Sequence, residues 1–439
     1  MDSVTNLIEI THNESLKIIL QYEQSSQTVR YFLRKHLIDY FFSDEIAAKI
    51  QAVVVGIVRY QNTINFILNR TVPKNILQQL SIADIASIKV AIFELRWQKI
   101  PIQDIAPLVK IDVKYLTIAL NLNLNANVKT LNQENQISII YSHPTFLVHT
   151  LIEKLGKPEA VSLMEKNNTQ AIAYLRVNQL LQDSESILNS IITKGVILEQ
   201  DKDLPFLYII KEGLQTVVKT DAFKKGQIFI QDKASVTAVK ALNPNPGDFI
   251  WDACAAPGMK THLLWELMKR QGQLVASDIN DKRLQEAQQR FLSYNCKGIE
   301  WMQADASITF IPKIKKILID APCTSTGIIQ SHPSYKWRLN KNWLFSIMTI
   351  QNKILDGIIS NYSNQPGTEI LYSTCSILPH EGENQIDSVL ERFDNLELLD
   401  GPTIGQKGYL NFKCTNKVRR LFPHIHNTNG FFIAHMKII

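Results

Sequence analysis

Residues 248–278, DFIWDACAAPGMKTHLLWELMKRQGQLVASD, read as a strand, a loop, a helix and a second strand. Phe249, Ile250 and Trp251 make a short apolar run that stops at Asp252; "THLLWELMKR" has helical spacing, and "QLVASD" stops at a second acid, Asp278. Two strands joined through one helix form a parallel pair. The alternation continues with helix "DKRLQEAQQRFLSYN", strands "IEWMQAD" and "KILIDAP", and the long helix "NWLFSIMTIQNKILDGIISNY". A Pro366-Gly367 turn and strand "EILYSTC" follow. The expected fold over residues 221–439 is α/β, a doubly wound, Rossmann-like parallel sheet. Such sheets bind ligands beyond the carboxyl ends of their strands, and Asp252, Asp278, Asp305, Asp320 and Cys375 all fall at or next to those ends.

Upstream, residues 1–136 show apolar residues at three- and four-residue spacing, which predicts an all-α bundle. Ser81 or Asp84 is available to cap one of its helices. The polar stretch "KTLNQENQ", 129–136, reads as a linker. Residues 137–220 alternate helices such as "HPTFLVHTLIEKLG" with short strands such as "AIAYLRVN" and "PFLYIIK", a small α+β domain. Arg176 and Asn178 are expected at a solvated strand end. Three domains suit 439 residues, too many for one ordinary core.

With 45% hydrophobic and 20% charged residues the chain has the balance of a soluble protein, and its apolar runs are too short to span a bilayer. "MDSVTNLIEITHNES" lacks the basic and apolar regions of a signal peptide, so a cytoplasmic location is expected. Cysteines 254, 296, 323, 375 and 414 form no CxxC pair, which argues against a metal site or a disulfide framework. The net charge is only +6, yet residues 401–439 hold Lys407, Lys413, Lys417, Arg419, Arg420 and Lys437 and no acid. Such a cluster could bind phosphates or be a solvated surface; Arg419 and Arg420, its densest part, are expected to grip the phosphates of a nucleic acid, the alternative being that they brace the C-terminal strand.

The first crossover loop bears on the cofactor. A dinucleotide site needs several glycines near the pyrophosphate, and here Gly258 stands alone after Ala255-Ala256-Pro257. A small-residue loop instead admits an amino-acid moiety, as in S-adenosylmethionine (AdoMet). Asp278 would accept the ribose hydroxyls and Asp305 would lie near the adenine amino group. The strands ending at Asp320 and Thr374 are expected as neighbours, bringing Cys323 and Cys375 to one cleft. A thiolate adding to carbon 6 of cytosine makes carbon 5 nucleophilic, and a second group must then help release the product. Asp320 could hold the ring nitrogen. Cys254 and Cys296 read as small buried residues, and Cys414 as one without catalytic weight.

The blocks "DACAAPGMKT", "IDAPCTSTGIIQSHPSYKW" and "YSTCSILPHEGEN" resemble the signatures of RNA (cytosine-5) methyltransferases of the Sun/Fmu type. "GQIFIQDKAS" and the closing "DGPTIG…RLFPHIHNTNGFFIAHM" are similar to flanking blocks, and the helical N-terminus to the antitermination factor NusB. The resemblance implies Cys375 as nucleophile, Cys323 as the thiol that assists product release, and Asp320 beside them. It also implies an AdoMet site of Cys254, Ala255, Ala256, Pro257, Gly258, Met259, Lys260, Asp278, Arg283, Asp305 and Asp320. The implied partner is 16S rRNA, free or in a partly assembled small subunit, with a monomeric chain and neither DNA nor membrane involved. A tRNA or another rRNA is the alternative substrate, and a non-catalytic NusB-like assembly factor the alternative function. Two positions depart from the pattern: Met259 replaces a small residue, and Gln330-Ser331 a basic pair.

Overall fold

Ser81 caps the most apolar of the long helices of the N-terminal region. In the computed structural model, which describes residues 2–439, its hydroxyl accepts from Asp84 N while the Asp84 carboxylate bonds back to Ser81, so both proposed caps act together on helix Ile82–Arg96. That helix buries Ile88, Val90, Ala91, Ile92 and Leu95 against Val53, Val54 and Ile57 of helix Asp44–Arg59. Within this core His12 joins two partners, with Nδ1 2.7 Å from Glu94 Oε2 and Nε2 2.9 Å from Ser87 Oγ, all three buried. The expected linker at 129–136 is partly helical. Asn132 caps helix Gln133–Ile140, because its side-chain oxygen accepts from Asn135 N.

This helical unit runs to Thr169 and includes a distant segment, Ile329–Leu339. Arg30 donates to the Ser331 carbonyl and Arg59 to that of Gln330. Lys336 donates to Arg59 O (2.8 Å) and Trp337 Nε1 to Val58 O (2.6 Å). Two arginines and two carbonyls thus meet where the sequence departed from a basic pair. The division expected at 136 falls inside this unit.

The second unit, Gln170–Ile328 with Asn340–Ile439, contains two sheets. The smaller is antiparallel: β1 (Ala173–Val177), β2 (Ile197–Gln200), β3 (Leu207–Glu212) and β4 (Ile228–Ile230), in the order β2-β3-β1-β4. β4 lies beyond residue 220, so this sheet reaches past the expected boundary. The larger sheet has a parallel centre: β5 (Phe249–Asp252), β6 (Gln273–Asp278), β7 (Ile299–Gln303), β8 (Lys316–Asp320) and β9 (Glu369–Thr374). To it the C-terminal region adds β10 (Leu396–Leu398), β11 (Gln406–Lys407), β12 (Arg419–Leu421) and β13 (Phe431–Ile438). The order is β11-β12-β13-β9-β8-β5-β6-β7, with β13 antiparallel to β9 and β10 paired to β13. The chain reverses direction across the sheet at β5, which has β6 on one side and β8 on the other.

Three polar expectations are corrected here. Arg176 is fully buried, donating to Gln231 Oε1 (2.7 Å) and to Glu266. Asn178 is buried too; its oxygen accepts from Leu180 N (3.0 Å), a turn bond, so neither residue is solvated. Arg420 is fully buried in a two-pronged pair with Glu383 (2.6 and 2.5 Å), and it donates to the carbonyls of Ser376 and Leu378. Its guanidinium lies over the Tyr409 and Phe432 rings. Arg419 donates to the Asn416 and Val418 carbonyls. Arg420 therefore braces β12 and β13 from inside the fold, whereas Arg419 is only partly buried.

Candidate active site

β8 and β9 are hydrogen-bonded neighbours with Asp320 opposite Ser373, so the residues just beyond them emerge side by side. Cys323 Sγ and Cys375 Sγ stand 3.1 Å apart. Their environments push them in opposite directions. The hydrogen bond shared with Cys323 holds Cys375 below the usual thiol value despite burial, with Ser325 and Lys260 helping. The same bond, then burial, pushes Cys323 well up. One sulfur is therefore disposed to be a thiolate and the other to keep its proton.

Asp320 anchors the floor of this cluster. Lys260 Nζ reaches its Oδ2 at 2.7 Å, and Ser373 Oγ donates to its Oδ1 at 3.2 Å. Ser325 lies 3.6 Å from the Cys375 sulfur and has φ 58°, a left-handed conformation that costs energy outside glycine. The two cysteine loops interlock through backbone bonds: Gly327 N donates to Cys375 O and Gly430 N to Gly327 O, both at 2.8 Å. A Cβ on Gly327 would lie 1.9 Å from Gly430 O, so only glycine fits.

The second cluster surrounds the loop 254–260. Ala255 N donates to Ser277 O of β6 (2.8 Å) and Ala256 N to Asp278 Oδ2 (3.1 Å). Gly258 takes φ 96°, and a Cβ there would press the Phe291 ring at 2.8 Å. Arg283 donates to Ala256 O (2.5 Å), and one of its nitrogens lies 3.8 Å from Asp278. Beneath the loop Asp252 is fully buried. Its Oδ2 accepts from Thr261, while Oδ1 has no partner. Burial, with Asp320 and Asp278 nearby, pushes this carboxyl up to about 7 against the pull of the Thr261 bond. An orphaned buried acceptor beside a small-residue loop suits an amino group, such as the amino-acid end of a cofactor would supply.

Most of the residues singled out from sequence therefore meet in one of two clusters. Cys323, Cys375, Asp320 and Lys260 form one; Ala255 to Gly258, Asp278 and Arg283 form the other. Met259 contributes its carbonyl to Gln231 (3.3 Å), and Asp305 turns into its own loop, accepting from Ser307 N and Oγ. Cys296 and Cys414 are buried and Cys254 is half-buried. Sequence reasoning missed Ser325 and Glu381. Both lie within the quoted blocks, but the contacts that give them weight, Ser325 with Cys375 and Glu381 with Thr324, join positions 50 and 57 residues apart. Among the described residues there is no group of side chains suited to a metal ion, and no helix is long and apolar enough to cross a membrane.

An open α/β sheet carrying a small-residue loop at β5 and a thiol pair beyond β8 and β9 defines the class. Comparison with known proteins then gives the family. The description "16S rRNA methyltransferase RsmB/F" matches residues 239–437, and an RsmF/B-like ferredoxin-like domain matches 143–213. Ribosomal RNA small subunit methyltransferase B of Pectobacterium carotovorum is 30% identical over 309 residues, 69% of this chain and 68% of the relative. The enzyme of the same name from Photorhabdus laumondii is 30% identical, over 67% of this chain and 66% of its own. Human 28S rRNA (cytosine(4447)-C(5))-methyltransferase is 28% identical over 69% of this chain and 39% of its own. The match thus spans less than two thirds of the length of these last two. The crystal structure of PH0851 shares the fold, with a TM-score of 0.76 at 24% identity over 98% of both chains. The chain belongs to the RsmB/F family of 16S rRNA methyltransferases.

Proposed function

We propose that this protein transfers a methyl group from AdoMet to carbon 5 of a cytosine in 16S rRNA. The observation that carries the reading is the thiol pair, 3.1 Å apart and oppositely biased. Asp252, Asp278 and the 254–260 loop would hold the cofactor, which supplies an electrophilic methyl group. Cys375, the sulfur biased toward thiolate, adds to carbon 6 and pushes electrons toward carbon 5. Asp320, with Lys260 on its far oxygen, is placed to hold the ring as charge develops. Cys323 stands beside the adduct to assist loss of the carbon-5 proton and expulsion of Cys375. A base engaged this way must be unpaired or swung out of its stack.

The test is to incubate the purified chain with methyl-labelled AdoMet and 16S rRNA, free or in partly assembled subunits, with tRNA and large-subunit rRNA in parallel. Label recovered as 5-methylcytosine in 16S rRNA is the expected result, and bisulfite sequencing locates it. Label only in another RNA reassigns the substrate. No label in any RNA, from folded protein that binds AdoMet, removes the enzymatic reading.

A further inference from the structure

Glu381 lies in the polar turn after Cys375, fully buried, and all its bonds go to the two cysteine loops or to what supports them. Its Oε1 accepts from Thr324 N (2.8 Å) and Gln351 Nε2 (3.1 Å), and its Oε2 accepts from Thr324 Oγ1 and Ser376 Oγ, both at 2.5 Å. Thr324 follows Cys323 and Ser376 follows Cys375. The same Gln351 nitrogen also reaches Pro322 O (2.8 Å), the residue before Cys323. The turn is held in its place as well, because the Glu381 carbonyl accepts from Tyr372 Oη (3.0 Å) on β9. One carboxylate therefore grips the chain next to each thiol, and its helper grips the other side of Cys323.

A carboxylate with both oxygens bonded in a sealed site needs strong reason to be there, since burial pushes it toward its neutral form and the four bonds resist that. A packing role would be met by an apolar side chain. Four donors converging from the two cysteine loops and helix Lys341–Tyr362 are met in full by the two oxygens of a carboxylate. We propose that Glu381 is the positioning residue of this site: it ties the Cys323 and Cys375 loops together and so sets the sulfur–sulfur spacing on which the division of roles depends. It touches no reacting atom and acts through Thr324 and Ser376. The inference rests on the proposed reaction for its purpose, but its geometry is measurable without RNA or cofactor.

The ruler is the thiol pair itself. Glutathione disulfide oxidises two thiols to one protein disulfide and releases two glutathione thiols, so the equilibrium reports how well the sulfurs are held together. Full-length wild type, Glu381→Ala and Glu381→Gln are titrated with glutathione buffers, and the Cys323–Cys375 disulfide is quantified by peptide mapping, which leaves Cys254, Cys296 and Cys414 in place. Glu381→Ala should lower the effective concentration of the pair by about tenfold or more, the loss expected for buried bonds to a charged acceptor. It should also raise the pH midpoint of Cys375 alkylation and lower kcat with AdoMet affinity unchanged within about twofold. Glu381→Gln keeps an acceptor for Thr324 N and should recover most of each loss. If Glu381→Ala does not fold, Ser376→Ala removes one arm only, and a smaller fall of about threefold is expected there. A folded Glu381→Ala or Ser376→Ala protein with unchanged thiol equilibrium and alkylation profile overturns the proposal. Lost methylation with unchanged thiol spacing overturns it too, whereas wild-type protein that holds the pair but methylates no RNA counts against the proposed reaction alone.

Discussion

Two cysteines of one composition are made unlike by a single hydrogen bond. Either sulfur can donate across the 3.1 Å contact, but the surroundings bias Cys375 downward and Cys323 upward, so Cys375 is the sulfur expected to bond to cytosine. Cys375→Ala should abolish both methyl transfer and adduct formation while sparing AdoMet binding. Cys323→Ala removes the hydrogen-bond partner and the group that assists release, so adduct should accumulate as a protein–RNA species that survives denaturing gels. Its alkylation profile should also shift, with the Cys375 midpoint moving to higher pH. Exchange of the two phenotypes would reverse the roles. The sequence carried this pair openly, since each thiol follows a recognisable strand end; the bias between them also depends on Ser325 and Asp320, at the end of β8, meeting Lys260 of helix Met259–Leu267, which nothing local shows.

At the scale of elements, the strands after β9 were the least legible. An acid-free run with six basic residues reads as a phosphate grip, and nothing local shows that Arg420 faces inward. Its partner Glu383 lies 37 residues earlier, in the helix that follows the Cys375 turn. The pair thus fastens β12 to the segment after Cys375, with Arg420 also bonded to the Ser376 and Leu378 carbonyls. Removing one partner of a buried pair leaves the other charge unsatisfied and costs about 3–5 kcal/mol. Arg420→Ala should lower the unfolding free energy by that order, and the urea midpoint with it, and leave the salt dependence of RNA binding where it was. A lost phosphate contact would instead reduce the log–log slope by roughly 0.7 to 0.9. Measuring RNA affinity over a salt series beside a urea titration separates the two, and a flattened slope at unchanged stability would return Arg420 to the RNA.

The whole molecule repeats this lesson in its buried ion pairs. Periodicity revealed the helices, the small antiparallel strands and the parallel centre because each needs only neighbours in sequence. It could not show that Ile329–Leu339, leaving the sheet region, belongs with the helical unit, nor that Arg176 of β1 pairs with Glu266, 90 residues away. That pair joins the smaller sheet to helix Met259–Leu267, which follows the cofactor loop. Burial alone would push Glu266 up, yet Arg176, His262 and the Gln179 amide hold it down at about 2, from an ordinary value of 4.5. A carboxyl lowered on folding stabilises the native state fully above its unfolded value and loses that contribution as protons bind. The stability it confers should therefore be complete above about pH 4.5 and fade down to about pH 2, a change on the order of 3 kcal/mol. Glu266→Gln should be less stable at pH 7 and should respond less steeply to acid through that window, because the titrating group is gone while Arg176 stays buried without its charge partner. Urea midpoints measured at intervals from pH 7 to pH 2 test this directly. Parallel profiles for the two proteins would mean that the acid sensitivity of this unit resides in other carboxyls.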